Sequence, residues 1–263
     1  MIGRSTLGVS KDTRFQEQIK RAIQHYEAFM GNVELPKMKL TPMGSQELKR
    51  ELAWATVKYD PSKDKYDLLV WDQLLTSGIG IDCSYLLFHE FTHALDIARY
   101  GAGNQDRYNS IRGYLEYHAA QVEMAKLLNR ASFATDEPFS MNDSIVPIDG
   151  KMTVHEYIEH GLDVADERIN NSKARPSIPM LFSTVGTLYN HLGRLSYCEM
   201  AATDYDKFAN CYEERCRATD LFDTKTWCQI RYGFNGLMAD ELIQETSELY
   251  LKTLYDLFRQ YGF

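Results

Sequence analysis

The residues with the clearest chemical potential are His89, Glu90 and His93, in the segment His-Glu-Phe-Thr-His. Residues four positions apart share one face of a helix, so both imidazoles can reach a single metal ion. Neutral imidazole nitrogen is a common ligand of Zn²⁺. Glu90 is turned about 100° from His89 around a helix, where its carboxylate can reach a metal-bound water without binding the metal. This H-E-x-x-H arrangement is typical of metallopeptidases that use the glutamate as general base.

The segment that carries this motif is predicted to be a buried helix. We expect the helix to begin near Asp82 or Ser84 and to end near Tyr100, with Gly101 as the residue that follows it. Two histidines and a glutamate on a buried helix need polar partners, and a metal ion supplies them. The alternative is a pair of histidines that faces solvent. The apolar residues that flank the motif are Leu86, Leu87, Phe88, Ala94, Leu95 and Ile97.

A third metal ligand has to come from another part of the chain, because a catalytic zinc site commonly has three protein ligands and one open position. A second helix is predicted from about Ser110 to Ala131, after a short polar loop. Two antiparallel helices joined in this way bring Glu116 back toward the histidines. Glu123 and His118 are the alternatives. An Ala-Ala pair three residues after Glu116 favours that residue, because small side chains let two helices approach closely.

The segment His89-Glu-Phe-Thr-His-Ala-Leu, followed downstream by Glu116-x-x-Ala-Ala, resembles a gluzincin zinc metallopeptidase. It is similar in general to the ImmA/IrrE-type metallopeptidases and the lethal-factor-like peptidase domains, over roughly residues 52–128. The resemblance implies a zincin-like core, in which a small twisted sheet lies over two zinc-bearing helices. It also implies His89, His93 and Glu116 as zinc ligands and Glu90 as the general base.

The chain departs from the ImmA/IrrE pattern four residues after the ligand glutamate, where Ala120 replaces the usual Asn. A zinc-bound histidine usually donates its other ring N–H to a carboxylate or a carbonyl group. Another residue must therefore orient the histidines. Asp96 and Asp82 are the candidates.

The rest of the chain is expected to supply a small sheet and many helices. An amphipathic pattern predicts a helix from Arg14 to Phe29. Two segments rich in β-forming residues, Leu52–Tyr59 and Tyr66–Trp71, predict a hairpin because turn residues separate them. From Val154 onward the pattern is almost entirely helical, with breaks predicted at Pro176, Pro179, Asp223 and Gly236.

These elements predict a mostly helical α+β fold. We expect residues 1–131 to form a zincin-like metallopeptidase core and residues 132–152 to form a loop or subdomain boundary. Residues 153–263 are then an accessory α-helical region that can pack as one domain with the core.

Composition and charge indicate the class of partner. The 263 residues include 29 basic and 37 acidic side chains, which give a formal charge of −8 and argue against a nucleic-acid partner bound through its phosphates. No membrane span or apolar leader is recognisable, and the five cysteines show no C-x-x-C spacing. We therefore expect a cytoplasmic protein with reduced thiols and no membrane partner. The oligomeric state stays open.

The expected function is hydrolysis of peptide bonds in a peptide or protein substrate. Zinc would lower the pKa of its bound water, and Glu90 would take the proton. The strand Tyr66–Trp71 could align an extended substrate by β-augmentation. The alternative is a zincin-like binding or regulatory module that holds a metal with little or no proteolysis, and Mn²⁺, Fe²⁺ or Co²⁺ also suit such a ligand set. Candidate donors to the oxyanion are Tyr108, Tyr114, Tyr117, His118 and His191.

Overall fold

The protein is mostly helical, with one three-stranded mixed sheet, in the residues that the computed structural model describes, which are 11–51, 53–76, 82–135, 137–218 and 240–263. This agrees with the predicted α+β class. The helices are α1 (Lys11–Phe29), α2 (Ser45–Glu51), α3 (Asp72–Thr76), α4 (Ser84–Asp96), α5 (Gln105–Ser110), α6 (Arg112–Leu127), α7 (Val154–Ala174), α8 (Ile178–Ala201), α9 (Asp206–Ala218) and α10 (Asp240–Gln260). The strands are β1 (Met38–Met43), β2 (Ala55–Asp60), β3 (Lys65–Trp71), β4 (Ser144–Ile145) and β5 (Met152–Thr153).

The sheet consists of the predicted hairpin and one strand that was not predicted. β2 and β3 are antiparallel, with Ala55 opposite Val70. β1 pairs in parallel with the other side of β3, so the strand order is β1-β3-β2. The prediction that the strand Tyr66–Trp71 aligns a substrate is therefore wrong, because both of its edges are already paired. Among the described strands, β2 pairs with β3 alone and has the outer edge that faces the motif helix.

The motif helix α4 packs against α1. Tyr26 donates a hydrogen bond of 3.0 Å to the hydroxyl of Thr92, and its ring packs edge-on against Phe88 with 5.3 Å between ring centroids. At the start of α4, the Asp82 carboxylate accepts a hydrogen bond from the Ser84 N–H. After Asp96 the helix continues as a π-helical turn, Ile97–Gly101. The opposite face of α4 is thereby directed toward α6.

The second site helix, α6, lies between α4 and α8. The predicted helix from Ser110 to Ala131 corresponds to α6, which ends earlier, at Leu127, and the short helix α5 lies in the segment that was expected to be a polar loop. A Cβ atom at Gly193 of α8 would collide with the backbone carbonyl of Tyr117 and would lie 3.0 Å from the Cβ of Ala120. Glycine at this position lets the two helix backbones approach closely. The C-terminal helices consequently pack directly against the helix that carries Glu116.

The C-terminal region shares its buried side chains with the N-terminal region in one hydrophobic cluster. A capping box between Thr153 and Glu156 begins α7. The predicted break at Pro176 is confirmed, whereas Pro179 lies in the first turn of α8. The breaks predicted at positions 223 and 236 lie outside the described residues.

Two further properties of the described residues bear on the sequence predictions. Among them, no helix combines the length and the apolar character needed to cross a membrane. Cys83 and Cys198 are buried free thiols, and Cys211 is an exposed one. The side chains of Cys216 and Cys228 fall outside the part of the chain that is described.

Candidate metal centre

Helices α4 and α6 bring two histidines and two glutamates together. Ligand atoms of His89, Glu90 and His93 lie within 4.8 Å of one another. Oε2 of Glu116 lies 3.9 Å from Nε2 of His89 and 3.9 Å from Nε2 of His93. Both histidines therefore present the same ring nitrogen to the same carboxylate oxygen.

The geometry of this cluster and the protonation state of His93 suit a divalent metal ion. Ligands bound at 2.0–2.1 Å to a tetrahedral ion lie roughly 3.4 Å apart, which is about half an ångström less than the two distances to Glu116. Burial and the neighbouring His89 lower the pKa of His93 well below its usual value, so its neutral, metal-binding form is favoured. The His-Glu-His group could hold a metal ion, and its donor atoms do not by themselves select one metal.

Glu90 connects the metal cluster to the edge strand. Its Oε2 accepts a hydrogen bond of 2.7 Å from the backbone N–H of Val57 on β2. Burial, with further contributions from the carboxylates of Glu116 and Glu123, raises the pKa of Glu90 to about 7. A buried carboxyl group with a pKa near neutrality is suited to take up and release a proton at physiological pH.

Glu123 lies on the opposite side of the His89 ring from Glu116. Its Oε2 is 2.9 Å from Nδ1 of His89, and its Oε1 accepts hydrogen bonds from Tyr157 (2.6 Å) and Arg194 (2.9 Å). The Nδ1–H of His89 is not aimed well at the oxygen, so this contact is close without being a well-directed hydrogen bond. Although burial raises the pKa of Glu123, Arg194 and His89 lower it to about 2. Glu123 is thus an ionised carboxylate that faces Nδ1 of His89, whereas Nε2 of the same ring faces Glu116.

The other carboxylates proposed to orient the histidines lie elsewhere. Nδ1 of His118 is 2.7 Å from Oδ2 of Asp96, and both side chains are buried. Asp82 is exposed and lies 3.6 Å from the ammonium group of Lys126. The prediction that Asp96 or Asp82 orients a zinc-binding histidine is therefore wrong. The alternative ligand His118 is likewise paired away from the His89 cluster.

The candidate oxyanion donors lie in different parts of the structure, and not all of them are near the metal cluster. Tyr114 stacks on His118 and belongs to the cluster around Asp96. Tyr108 packs against Tyr59 of the edge strand, with ring centroids 5.2 Å apart. His191 lines the same cavity as Glu116. Of these candidates, His191 thus has a direct structural link to the cluster. Tyr117 is buried, and its backbone meets α8.

A cavity of about 830 Å³ opens beside Glu116 and contains several residues that were not singled out in the sequence. Thr56 of β2 lies at its wall, together with polar side chains from α6, α7 and α8. Asn190 of α8 lines the cavity beside Glu116. The basic residues of the lining come from three helices far apart in sequence, so no local motif reveals them. They are Arg112, His160, Arg168, His191 and Arg194.

No protein-family model, curated protein or solved structure matches the chain. The fold and site therefore define a mostly helical α+β protein in which a His-Glu-x-x-His cluster could hold a metal ion.

Proposed function

We propose that the protein is a zinc-dependent metallopeptidase of gluzincin type. In this proposal His89, His93 and Glu116 are the zinc ligands and Glu90 is the general base. The observation that carries the proposal is the approach of one Glu116 oxygen to Nε2 of both histidines, at 3.9 Å each. A glutamate from the next long helix, placed in this way opposite the motif, is the arrangement that the gluzincin resemblance implies.

The residues around the cluster have distinct tasks in such a reaction. When bound, zinc supplies a Lewis acid that polarises the peptide carbonyl and lowers the pKa of water. Glu90 takes a proton from the attacking water and passes it to the leaving amine nitrogen. The charge of the Glu123 carboxylate, 2.9 Å from Nδ1 of His89, favours the tautomer with the proton on Nδ1, which leaves Nε2 free to act as a ligand.

The edge strand β2 offers a place for an extended substrate. The hydrogen bond from the Val57 N–H to Glu90 shows that this N–H, which is already engaged, points away from β3. Along a strand, backbone groups two residues apart point the same way, so Ala55 and Tyr59 also direct their backbone groups outward. A peptide that pairs with this edge would pass directly in front of Glu90.

The test combines metal content with proteolysis. We expect one equivalent of zinc by elemental mass spectrometry in the wild type after zinc is supplied, and strongly reduced zinc in Glu116→Ala. Glu90→Gln should keep the metal and lose cleavage of a peptide library derived from a proteome. Glu167→Ala, which changes an exposed glutamate of α7, is the matched control and should behave as the wild type. Failure of the folded wild type to bind zinc would refute the proposal.

A second candidate function is a metal-holding binding or regulatory module. The observation that favours it is the 2.7 Å hydrogen bond from Val57 to Glu90, because it engages the carboxylate that would otherwise activate water. This alternative predicts stoichiometric zinc that depends on Glu116, and no cleavage of any library peptide by the wild type.

A further inference from the structure

The cavity beside Glu116 contains an unusual concentration of positive charge for a chain with a formal charge of −8. Three arginines and two histidines line it, against the carboxylates of Glu116 and Asp149. Glu116 belongs to the candidate metal centre. Among the described lining residues, Asp149 is therefore the one other acidic side chain that can balance the charge of the arginines.

The three arginines differ in how their charges are balanced. Arg194 is paired with Glu123 at 2.9 Å and so is already neutralised. Arg168 donates through Nη1 to the hydroxyls of Ser183 (3.1 Å) and Thr187 (2.9 Å) on α8. These hydroxyls fix the position of the guanidinium group without cancelling its charge.

Arg112 is also held by neutral groups. Its guanidinium carbon lies 5.4 Å from the centre of the Phe182 ring, which is a cation–π contact in the cavity wall. Among the described residues, neither Arg112 nor Arg168 has a carboxylate within 4.0 Å, and the carboxylate on which both charges act is that of Glu116, a proposed zinc ligand. The cavity thus presents two positioned guanidinium groups whose charges are not matched by an ion pair.

We infer that this cavity binds a carboxylate group of a peptide substrate, next to the bond that is cleaved. This inference rests on the proposed peptidase function. A substrate peptide on β2 would pass Thr56, which lies in the cavity wall, and would bring a neighbouring group toward the two arginines. Guanidinium groups bind carboxylates through paired N–H donors, which gives both charge and geometric selectivity. The carboxylate can come from an Asp or Glu side chain or from the C-terminus of the peptide.

The experiment measures binding separately from cleavage. Zinc-loaded Glu90→Gln protein is titrated into fluorescein-labelled Ala-Ala-Ala-Xaa-Ala-Ala peptides, with Xaa as Glu, Gln or Lys, each with a free or amidated C-terminus. Fluorescence anisotropy gives the Kd. We expect a peptide with the recognised carboxylate to bind at least about fivefold more tightly than its neutral counterpart, and the difference to shrink at high salt. A preference for Glu over Gln in the amidated peptides identifies a side chain, whereas a preference for the free acid identifies the C-terminus.

Variants at the two arginines test the assignment. In the Glu90→Gln background, Arg168→Gln and Arg112→Gln should each reduce the preference for the carboxylate, and Arg168→Lys should retain part of it. Arg259→Gln changes an exposed arginine of α10 outside the cavity lining and should leave the preference intact. Circular dichroism melts check that each variant is folded. Equal binding of all peptides, or an unchanged preference in both arginine variants, would overturn the inference. A carboxylate preference in a protein that binds no zinc would support the cavity assignment and refute the peptidase.

Discussion

Glu123 contacts His89 on the side away from the proposed metal, so replacement of Glu123 should weaken zinc binding without removing a ligand. The change Glu123→Gln keeps the size of the side chain and removes the charge that lies 2.9 Å from Nδ1 of His89. Replacement of a group that orients a zinc-bound histidine typically weakens zinc binding by about 10- to 100-fold. This corresponds to about 1.4 to 2.8 kcal/mol of binding free energy. Loss of the direct ligand Glu116 should weaken binding more than this.

The same change should also lower the stability of the metal-free fold. Glu123 is 3 % exposed and is the ion-pair partner of Arg194, which is 19 % exposed. Removal of one member of a buried ion pair costs about 3 to 5 kcal/mol, and the partial exposure of Arg194 places the expected cost at the lower end. Metal affinity must therefore be measured under conditions in which each variant is fully folded.

The assay is competition for zinc with a fluorescent chelator at neutral pH, together with urea unfolding of the metal-free protein. Tyr157→Phe is the matched control, because it removes a 2.6 Å hydrogen bond to the same carboxylate and leaves the charge in place. We expect Tyr157→Phe to bind zinc within a few-fold of the wild type. If Glu123→Gln bound zinc as tightly as the wild type, the orienting role would be refuted. If it lost zinc more completely than Glu116→Ala, Glu123 would be the zinc ligand and Glu116 would not.

Three further predictions concern pH, packing and metal. In the metal-free protein, Glu90 has a pKa of about 7 against an ordinary value of 4.5, so stability falls as the pH rises through this range. In urea titrations, Glu90→Gln should therefore stabilise the metal-free fold by up to about 3 kcal/mol at pH 8 and by much less at pH 5. Equal effects at the two pH values would contradict this prediction. Gly193→Ala should lower the free energy of unfolding by about 1 to 3 kcal/mol, because the added Cβ would collide with the Tyr117 carbonyl. An unchanged Tm would contradict this prediction. Zinc at a hundredfold excess over its Kd should stabilise the wild type by about 2.7 kcal/mol and Glu116→Ala far less, in thermal melts.

The parts of the site that the sequence predicts are those that depend on local spacing. The separation of four residues between His89 and His93 places both rings on one helical face, and this needs only the helix geometry. Glu116 and Glu123 are seven residues apart, so they share a face of α6 as well. Local spacing cannot tell which glutamate meets which ring nitrogen, because this depends on how far α6 is shifted along α4.

The missed strand β1 shows a different limit. It contains Pro42 and is followed by Gly44, both of which are typical of loops. Its pairing is parallel to β3, a strand that begins more than twenty residues later, so no hairpin signal marks it. Because β1 was missed, β3 was expected to be an exposed edge. The edge strands are β1 and β2, and the proposed substrate-binding strand is β2 because its Val57 N–H contacts Glu90.

The incorrect assignment of Asp96 has its origin in the pairing between α4 and α6. Two buried imidazole–carboxylate pairs connect these helices, His89 with Glu123 and Asp96 with His118, and each helix contributes one acid and one histidine. The order of the partners is reversed between the helices, as an antiparallel pair requires. Along α4 the two contacts are about 10 Å apart, and along α6 about 8 Å, so both can form in the same register. A shift by one turn would leave two carboxylates buried without these partners, at a cost of several kcal/mol. The pairs His89–Glu123 and Asp96–His118 therefore fix the register that holds Glu116 opposite the two histidines. Inspection of the sequence one residue at a time cannot assign these partners.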